Sequence, residues 1–216
     1  MNAEAFRSEA ARLALVPLFY DGDAARARAT VAALAAGGAT LVEYTLRGPG
    51  ADRVLAELVE NAPAGVTIGA GSVSDAAMAD LALRAGAAFV VGPNGDPEVA
   101  ERCFAQAVAY VPGCMTPSEL VRARSWGCSL LKLFPVGALG GPAYVRAVRA
   151  PLPGLEMMVT GGVSMEDASA YLEAGAACLG IGSELVKRSY LDVDDGRPLA
   201  EATAAALARL RSVREG

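Results

Sequence analysis

The segment Ser129-Leu130-Leu131-Lys132-Leu133-Phe134-Pro135 decides how this chain folds. It is almost wholly apolar, which predicts a short strand buried on both faces, as in a parallel sheet. A lysine rarely lies in such a strand, because a charged amine is costly to bury. Burial would favour a neutral Lys132, which is a nucleophile for carbonyl carbons. The alternative is that Lys132 lies at the strand end and extends its amine into water.

Similar apolar strands recur along the chain and alternate with helices. The predicted strands are residues 15–19, 40–46, 66–70, 87–91, 108–111, 129–135, 156–160 and 176–181. The predicted helices are residues 3–13, 23–36, 51–61, 74–85, 96–106, 116–126, 143–150, 165–174 and 200–213. This alternation predicts an α/β protein, with residues 1–216 forming a single (β/α)8 TIM barrel with an N-terminal helix. An open doubly wound sheet is the alternative, although no GxGxxG follows the first strand.

Composition excludes several classes of function. The net charge of −5 comes with no basic cluster, which argues against nucleic acid or anionic membrane as a partner. No apolar run approaches the roughly 18 residues of a membrane span, and the N-terminus lacks the pattern of a secretory signal. The four cysteines show no CxxC spacing, which predicts a reduced, cytoplasmic protein. Histidine is absent, so the commonest general base and metal ligand are missing, and we expect neither metal nor cofactor.

Polar side chains on the second predicted strand form a candidate site. Glu43, Thr45 and Arg47 share one face, because side chains alternate along a strand. If that face points into the barrel, Glu43 could relay protons near Lys132, and the protonation of the two groups would be coupled. Arg47, at the mouth, suits a substrate carboxylate bound at two points. The alternatives are a buried Glu43–Arg47 pair and an arginine on the surface.

Two glycine clusters follow the last two predicted strands. Thr160-Gly161-Gly162 and Gly180-Ile181-Gly182-Ser183 would let backbone N–H groups approach an anion. Many barrels bind phosphate between these strands, so the pair predicts a phosphate site. The run Asp192, Asp194 and Asp195 has part of a calcium-loop spacing but no closing glutamate, which favours a solvated loop. Tyr20-Asp21 could line the mouth or cap the following helix.

The residues taken together resemble the class I 2-dehydro-3-deoxy-6-phosphogluconate aldolases and the related phosphogalactonate and 4-hydroxy-2-oxoglutarate aldolases. The resemblance runs from about Leu15 to Val186. It implies a class I aldolase that cleaves a 2-keto-3-deoxy sugar acid 6-phosphate to pyruvate and glyceraldehyde 3-phosphate, in an eight-stranded barrel that forms a homotrimer. The motifs are Glu43-Tyr44-Thr45-Leu46-Arg47, Gly69-Ala70-Gly71-Ser72-Val73, Val91-Gly92-Pro93-Asn94, Pro112-Gly113-Cys114-Met115-Thr116-Pro117-Ser118-Glu119, Leu131-Lys132-Leu133-Phe134-Pro135, Thr160-Gly161-Gly162-Val163 and Gly182-Ser183.

The same resemblance implies a role for each matching residue. Lys132 would form the Schiff base and Glu43 would be the acid and base. Arg47 would hold the substrate carboxylate, with Ser72 nearby in place of the family's usual threonine. The pocket walls, the contact to a substrate hydroxyl and the phosphate site would be formed by Pro93, Phe134, Thr160, Gly161, Gly162, Gly182 and Ser183.

Two departures from the family pattern bear on the substrate. Gly48-Pro49 replaces the threonine that often follows the arginine, and the Gly182-Ser183-Glu184-Leu185 ending is closer to the phosphogalactonate enzymes. A galactonate-derived or unphosphorylated 2-keto acid, such as 4-hydroxy-2-oxoglutarate, is therefore an alternative substrate. Two further hypotheses are metal-dependent aldol cleavage and a barrel that binds sugar phosphates without catalysis.

Overall fold

The computed structural model describes residues 1–191 and 196–215, so the aspartates at 192, 194 and 195 lie outside the described residues. Each apolar run of the sequence forms a strand, and the strands are all parallel. They are β1 Leu15–Phe19, β2 Leu41–Thr45, β3 Thr67–Gly71, β4 Phe89–Val91, β5 Ala109–Val111, β6 Gly113–Cys114, β7 Leu131–Leu133, β8 Met157–Thr160 and β9 Cys178–Ile181.

Helices connect these strands, and several begin at the capping residues that the sequence contains. The side chains of Asp23, Asp75, Asp96 and Thr116 each accept a hydrogen bond from a backbone N–H in the first helical turn. The helices are α1 Ala3–Leu13, α2 Ala24–Ala36, α3 Ala51–Glu60, α4 Ala76–Arg84, α5 Pro97–Ala105, α6 Pro117–Ser125, α7 Pro142–Arg149, α8 Ala168–Glu173, α9 Arg188–Leu191 and α10 Arg197–Glu215. In the part of the chain that the structure describes, no helix combines the length and apolarity needed to cross a membrane.

The barrel closes through one run of chain that pairs on both sides. The strand order is β5-β4-β3-β2-β1-β9-β8-β7-β6, and β5 and β6 are separated only by Pro112. The first half of this run pairs with β4 and the second half with β7. Proline has no N–H to donate, so the ladder changes partner at this residue. The predicted α/β barrel is therefore confirmed, although its fifth strand continues beyond Pro112 instead of ending there.

Helix α1 covers the amino-terminal end of the barrel. The ring of Phe6 lies 4.3 Å from the ring of Phe89, at the start of β4. The backbone oxygen of Met1 accepts a hydrogen bond of 3.1 Å from the N–H of Ala109, at the start of β5. The opposite end, where the strands finish, is left open.

Candidate active site

A cavity of about 750 Å³ opens at the carboxyl ends of the strands. It is the place where barrels of this kind carry their active sites. All of the site residues that the sequence predicted line it, so chemistry-bearing side chains from six different strand ends converge in one space. They are Glu43, Arg47, Ser72, Pro93, Lys132, Phe134, Thr160, Gly161, Gly162, Gly182 and Ser183.

Lys132 lies on β7 with its side chain in the barrel interior. It is only 6% exposed, so it does not extend into bulk water as the alternative interpretation required. Burial lowers the pKa of the Lys132 amine, and the positive charge of Arg47 lowers it further, whereas the carboxylate of Glu43 opposes this shift. The amine is therefore closer to its neutral, nucleophilic form than a lysine in water is.

Glu43 faces the same interior from β2. It is 1% exposed, and burial raises the pKa of its carboxyl group against the opposing charges of Lys132 and Arg47. Its Oε2 atom has no hydrogen-bond partner among the described residues, which is uncommon for a buried carboxyl oxygen. The side chain extends over Gly71, where an added Cβ would lie 1.9 Å from Oε1. Glu43 thus has an unused oxygen in the cavity that it lines together with Lys132, available to a substrate or a water molecule, although no ion pair within 4.0 Å joins the two side chains.

Burial acts in opposite directions on this pair, and both shifts favour the uncharged forms. The electrostatic attraction between the two groups favours the ion pair instead. Both arrangements hold the same number of protons, so moving the proton from Lys132 to Glu43 leaves the net charge unchanged. The pair can supply a neutral nucleophile and a protonated acid at the same moment.

Phe134 connects the lysine with the first glycine turn. The Lys132 Nζ lies 4.8 Å from the centre of the Phe134 ring. The Cδ2–Cε2 edge of this ring packs on Gly161, where an added Cβ would lie 2.7 Å from Cδ2. Gly161 also has a φ of 82°, which disfavours any side chain. The glycine therefore lets the ring lie under the amine.

Arg47 and Ser72 lie at the mouth above β2 and β3. The Arg47 Nε donates a hydrogen bond of 2.9 Å to the Thr45 Oγ1, which fixes part of an otherwise exposed guanidinium group. Ser72 adopts a positive φ of 62° directly after β3 and also lines the cavity. Thr45 and Arg47 therefore face inward with Glu43, as the alternation along the strand predicted.

The glycine turns after β8 and β9 lie next to each other, because these strands pair. Gly161 and Gly162 both have positive φ, and Gly182 and Ser183 follow β9. The backbone N–H groups of Gly161, Gly162 and Ser183 donate no hydrogen bond to another backbone group of the described residues. Such free amides around a cavity can bind an anion.

From the sequence, the role of the segment Tyr20-Asp21 was undecided, and two arginines of the site were not predicted. Tyr20 and Asp21 line the cavity, as one of the two interpretations of this segment held. Arg26 and Arg188 line it too, and nothing in the sequence distinguishes them from the neighbouring cations Arg28 and Lys187. Only the turn of α2 and the loop after β9 bring them to the mouth.

A metal-dependent reaction finds no site in the described parts of the chain. No group of three or more carboxylate or cysteine side chains there is arranged to hold a metal ion. All four cysteines are buried and free, and burial raises their thiol pKa values to about 12. The cysteines are therefore neither ligands nor nucleophiles here.

Comparison with known proteins agrees with this geometry. The sequence model of the KDPG and KHG aldolase family matches residues 7–201. A probable 2-dehydro-3-deoxy-6-phosphogalactonate aldolase of Rhizobium meliloti is 38% identical over 181 residues, which cover 83% of this chain and 84% of the relative. A 2-dehydro-3-deoxy-phosphogluconate aldolase of Pseudomonas aeruginosa is 35% identical, covering 82% of this chain and 80% of the relative.

A solved structure also shows the same architecture. The KDPG aldolase from Legionella pneumophila, crystallised with pyruvate captured as a covalent carbinolamine intermediate, superposes with a TM-score of 0.84. It is 28% identical, and the match covers 92% of this chain and 97% of that one. With the family match spanning most of its length, this chain belongs to the KDPG and KHG aldolase family.

Proposed function

We propose that this protein is a class I aldolase that cleaves a 2-keto-3-deoxy sugar acid 6-phosphate to pyruvate and glyceraldehyde 3-phosphate. The observation that carries the proposal is that the buried amine of Lys132 and the buried carboxyl group of Glu43 line one cavity at the mouth of the barrel. The relatives named above act on such substrates, and one of them has been captured with pyruvate bound covalently.

The reaction begins with the neutral form of the Lys132–Glu43 pair. The amine adds to the C2 carbonyl of the substrate, and its proton moves to the oxygen to give a carbinolamine. Protonated Glu43 then gives its proton to the new hydroxyl group, which leaves as water. The products of this step are a positively charged imine on Lys132 and a Glu43 carboxylate, so the charge is balanced within the pair.

The protonated imine withdraws electrons from the C3–C4 bond. The Glu43 carboxylate takes the proton of the C4 hydroxyl, directly or through a water molecule, and the C3–C4 electron pair moves into the imine. The aldehyde leaves and a neutral enamine remains. Glu43 returns its proton to C3, and water then hydrolyses the imine, releasing pyruvate and restoring the neutral amine.

The rest of the cavity supplies binding at both ends of the substrate. Arg47 and the hydroxyl of Ser72 would hold the carboxylate next to C2. Thr160 would contact a substrate hydroxyl, and Pro93 and Phe134 would form the walls. The free amides of Gly161, Gly162 and Ser183 support a phosphate site at the other end, to which Gly182 belongs.

The configuration of the sugar acid has two candidates. The Rhizobium meliloti relative is named for the galactonate series and the Pseudomonas aeruginosa relative for the gluconate series. The ending Gly182-Ser183-Glu184-Leu185 favours the galactonate-derived acid for this chain. A comparison of kcat/KM for the two phosphorylated acids and for 4-hydroxy-2-oxoglutarate decides between them.

Assembly and location form a further part of the proposal. The family resemblance implies a homotrimer, and the exposed apolar side chains of Met115 and Val121 support a surface that a second copy covers. Four buried free cysteines support a reducing, cytoplasmic setting. Sedimentation equilibrium at micromolar concentration tests the trimer, and a monomer in that measurement would contradict it.

Trapping the imine tests the proposed mechanism. Borohydride added with pyruvate should increase the mass of the peptide that contains Lys132, and should leave the one other lysine of the chain, Lys187, unmodified. Activity should persist in the presence of a chelator. An unmodified Lys132, or full inhibition by the chelator, would overturn the class I mechanism. Binding of the sugar phosphate without release of pyruvate would instead identify a non-catalytic barrel.

A further inference from the structure

The order of the strands divides the cavity into two ends. Arg47 follows β2, the strand that carries Glu43, and Ser72 follows the neighbouring β3. The turns after β1, β9 and β8 lie on the other side of β2, between it and the lysine strand β7, since the sheet runs β2-β1-β9-β8-β7. A substrate whose carboxylate is at the first end must direct its far end toward the turns of β8, β9 and β1.

The turn after β1 contributes a neutralised carboxylate to this far end. Asp21 is 9% exposed, and its two oxygens accept hydrogen bonds of 2.9 and 2.8 Å from the Nε and Nη2 of Arg26. The N–H of Asp23 donates a further bond of 2.8 Å to Asp21 Oδ1. Because this bidentate pair is held by backbone and side chain together, it adds shape but little net charge to the mouth.

The loop after β9 contributes a cation that is not neutralised in the same way. Arg188 begins α9 and lines the cavity. Burial raises the pKa of the Asp21 carboxyl, but the hydrogen bonds from Arg26 and Asp23 lower it below its usual value, with smaller contributions from the positive charges of Arg26 and Arg188. Among the described residues, no carboxylate forms an ion pair with Arg188 within 4.0 Å. Its guanidinium is therefore available to a ligand in the far end of the cavity.

We propose that Arg188 is a specificity-determining residue that binds the terminal phosphate of the substrate, and that the Asp21–Arg26 pair positions it over the glycine turns. The inference rests on the proposed function, because the phosphate is that of the sugar acid. The guanidinium would add a charged, two-point contact to the amide donors of Gly161, Gly162 and Ser183. The preference for a phosphorylated substrate would then depend on the loop after β9, which carries Arg188.

Side chains of both signs of charge lie near the far end of the cavity, so their effects on a bound phosphate partly oppose one another. Glu184 lies on the same loop, is exposed and also lines the cavity. Arg188 and Glu184 therefore act in opposite directions on an incoming dianion. The Nε and Nη2 of Arg26 donate to the two oxygens of Asp21, so Arg188 is the cation that discriminates.

The experiment compares phosphorylated and unphosphorylated aldehydes in the condensation direction. Pyruvate is held saturating and KM is measured for glyceraldehyde 3-phosphate and for glyceraldehyde, which removes the question of the C4 configuration from the assay. The variant Arg188→Gln is compared with Lys187→Gln, which removes the same charge one residue away. Lys187 does not line the cavity, and its Nζ lies 5.8 Å from the ring of Tyr190.

We expect Arg188→Gln to raise KM for glyceraldehyde 3-phosphate roughly tenfold, the loss of one charged hydrogen-bonding contact at an exposed position. KM for glyceraldehyde, kcat and the pyruvate adduct on Lys132 should stay within twofold of the parent protein, as should all values of Lys187→Gln. The increase of KM with ionic strength should also be weaker in Arg188→Gln. Equal effects on both aldehydes, or none, would overturn the proposal, whereas a missing adduct in the parent protein would overturn the aldolase mechanism instead.

A second comparison tests the role of the Asp21–Arg26 pair. Arg26→Gln leaves the Asp21 carboxylate without its partner, so KM for glyceraldehyde 3-phosphate should rise at least threefold. Adding Asp21→Asn removes that negative charge, and the double variant should return toward the parent value. If KM for glyceraldehyde 3-phosphate is as high in the double variant as in Arg26→Gln, or higher, the pair only supports the fold, and its positioning role is refuted.

Discussion

The residues at the bottom of the cavity, called the floor here, and those around its opening, called the rim, lie on different kinds of structure. The floor consists of Glu43, Thr45, Lys132 and Thr160, which lie on strands and are 1%, 2%, 6% and 5% exposed. The rim consists of Arg26, Ser183, Glu184 and Arg188, which lie on loops and helices, and the Arg26 side chain is 52% exposed. Charges are shielded from water at the floor and open to it at the rim.

This difference separates two tasks of one site. Electrostatic interactions are strong where water is excluded, so the floor can change the protonation of Lys132 and Glu43. At the rim, solvent and salt weaken each charge, so a contact there changes binding only modestly. Substitutions at the floor should therefore change kcat and be insensitive to salt, whereas those at the rim should change KM and be sensitive to it.

The largest effect is expected for Lys132→Met. It removes the proposed nucleophile, so activity should fall by at least about 10³-fold, the order expected when a covalent route is lost. The pyruvate adduct should disappear as well. Because the substitution also removes a buried amine, the thermal unfolding midpoint should be equal to or above that of the parent protein. A midpoint well below it would show that Lys132 supports the fold, and retained aldolase activity would contradict its role at the floor.

Glu43→Gln should cost about 10²- to 10⁴-fold in kcat, the range for loss of a general acid and base. It also removes a negative charge that raises the pKa of Lys132, so that pKa should fall. Arg47→Gln removes a positive charge that lowers it, so the pKa should rise. The pH dependence of Lys132 acylation by a small reagent measures both shifts, with Lys187 as the internal reference. If the pKa of Lys132 shifts in the same direction in both variants, the charges of Glu43 and Arg47 do not control it as proposed.

Gly161→Ala should lower kcat less than Glu43→Gln does, because Gly161 acts only through its contact with the Phe134 ring beside Lys132. Gly65→Ala is its matched control. The two glycines have φ of 82° and 81°, but an added Cβ at Gly65 has nothing within 4 Å. Both variants should lose about 1 kcal/mol of stability from backbone strain, and Gly161→Ala should lose more because Phe134 must move. Urea unfolding measures the difference, and only Gly161→Ala should lower kcat. Equal losses would show that the ring tolerates displacement.

Glu184→Gln should have the smallest effect. Removing an exposed negative charge from the rim should lower KM for a phosphorylated substrate by about twofold, as expected for a solvent-screened charge. The change should disappear in high salt, and kcat should not change. Initial rates in low and high salt measure it. A change in kcat would mean that this residue acts on the floor.

The floor was far easier to predict from the sequence than the rim. Lys132 stands alone in an apolar strand, which favoured a buried amine, and strand periodicity put Glu43 on one face with Thr45 and Arg47. The structure then showed that this face is the inner one. Arg26 lies in an alanine-rich helix two residues before Arg28, which instead pairs with Glu57 at 2.6 Å. A helix exposes most of its surface to solvent, so periodicity does not say which of its arginines reaches the mouth.

The fold was predictable for a similar reason, and its difference at the fifth strand has a local cause. Apolar runs and helix caps located every predicted strand and helix to within a few residues. Pro112 and Gly113 indicated the end of a strand, but the chain continues in the same direction and pairs with β7. Pro112 has lost only its own donor, and its carbonyl still accepts a bond of 2.9 Å from Lys132. The break therefore changes the partner strand and not the path.

The scarcity of lysine leaves this barrel with one accessible lysine amine. Of its two lysines, Lys132 is buried and Lys187 is exposed, directly after the loop at the open mouth. Coupling to a solid support through lysine should therefore attach the protein by its mouth and obstruct the cavity. In Lys187→Gln no exposed lysine remains, so the same coupling should fail.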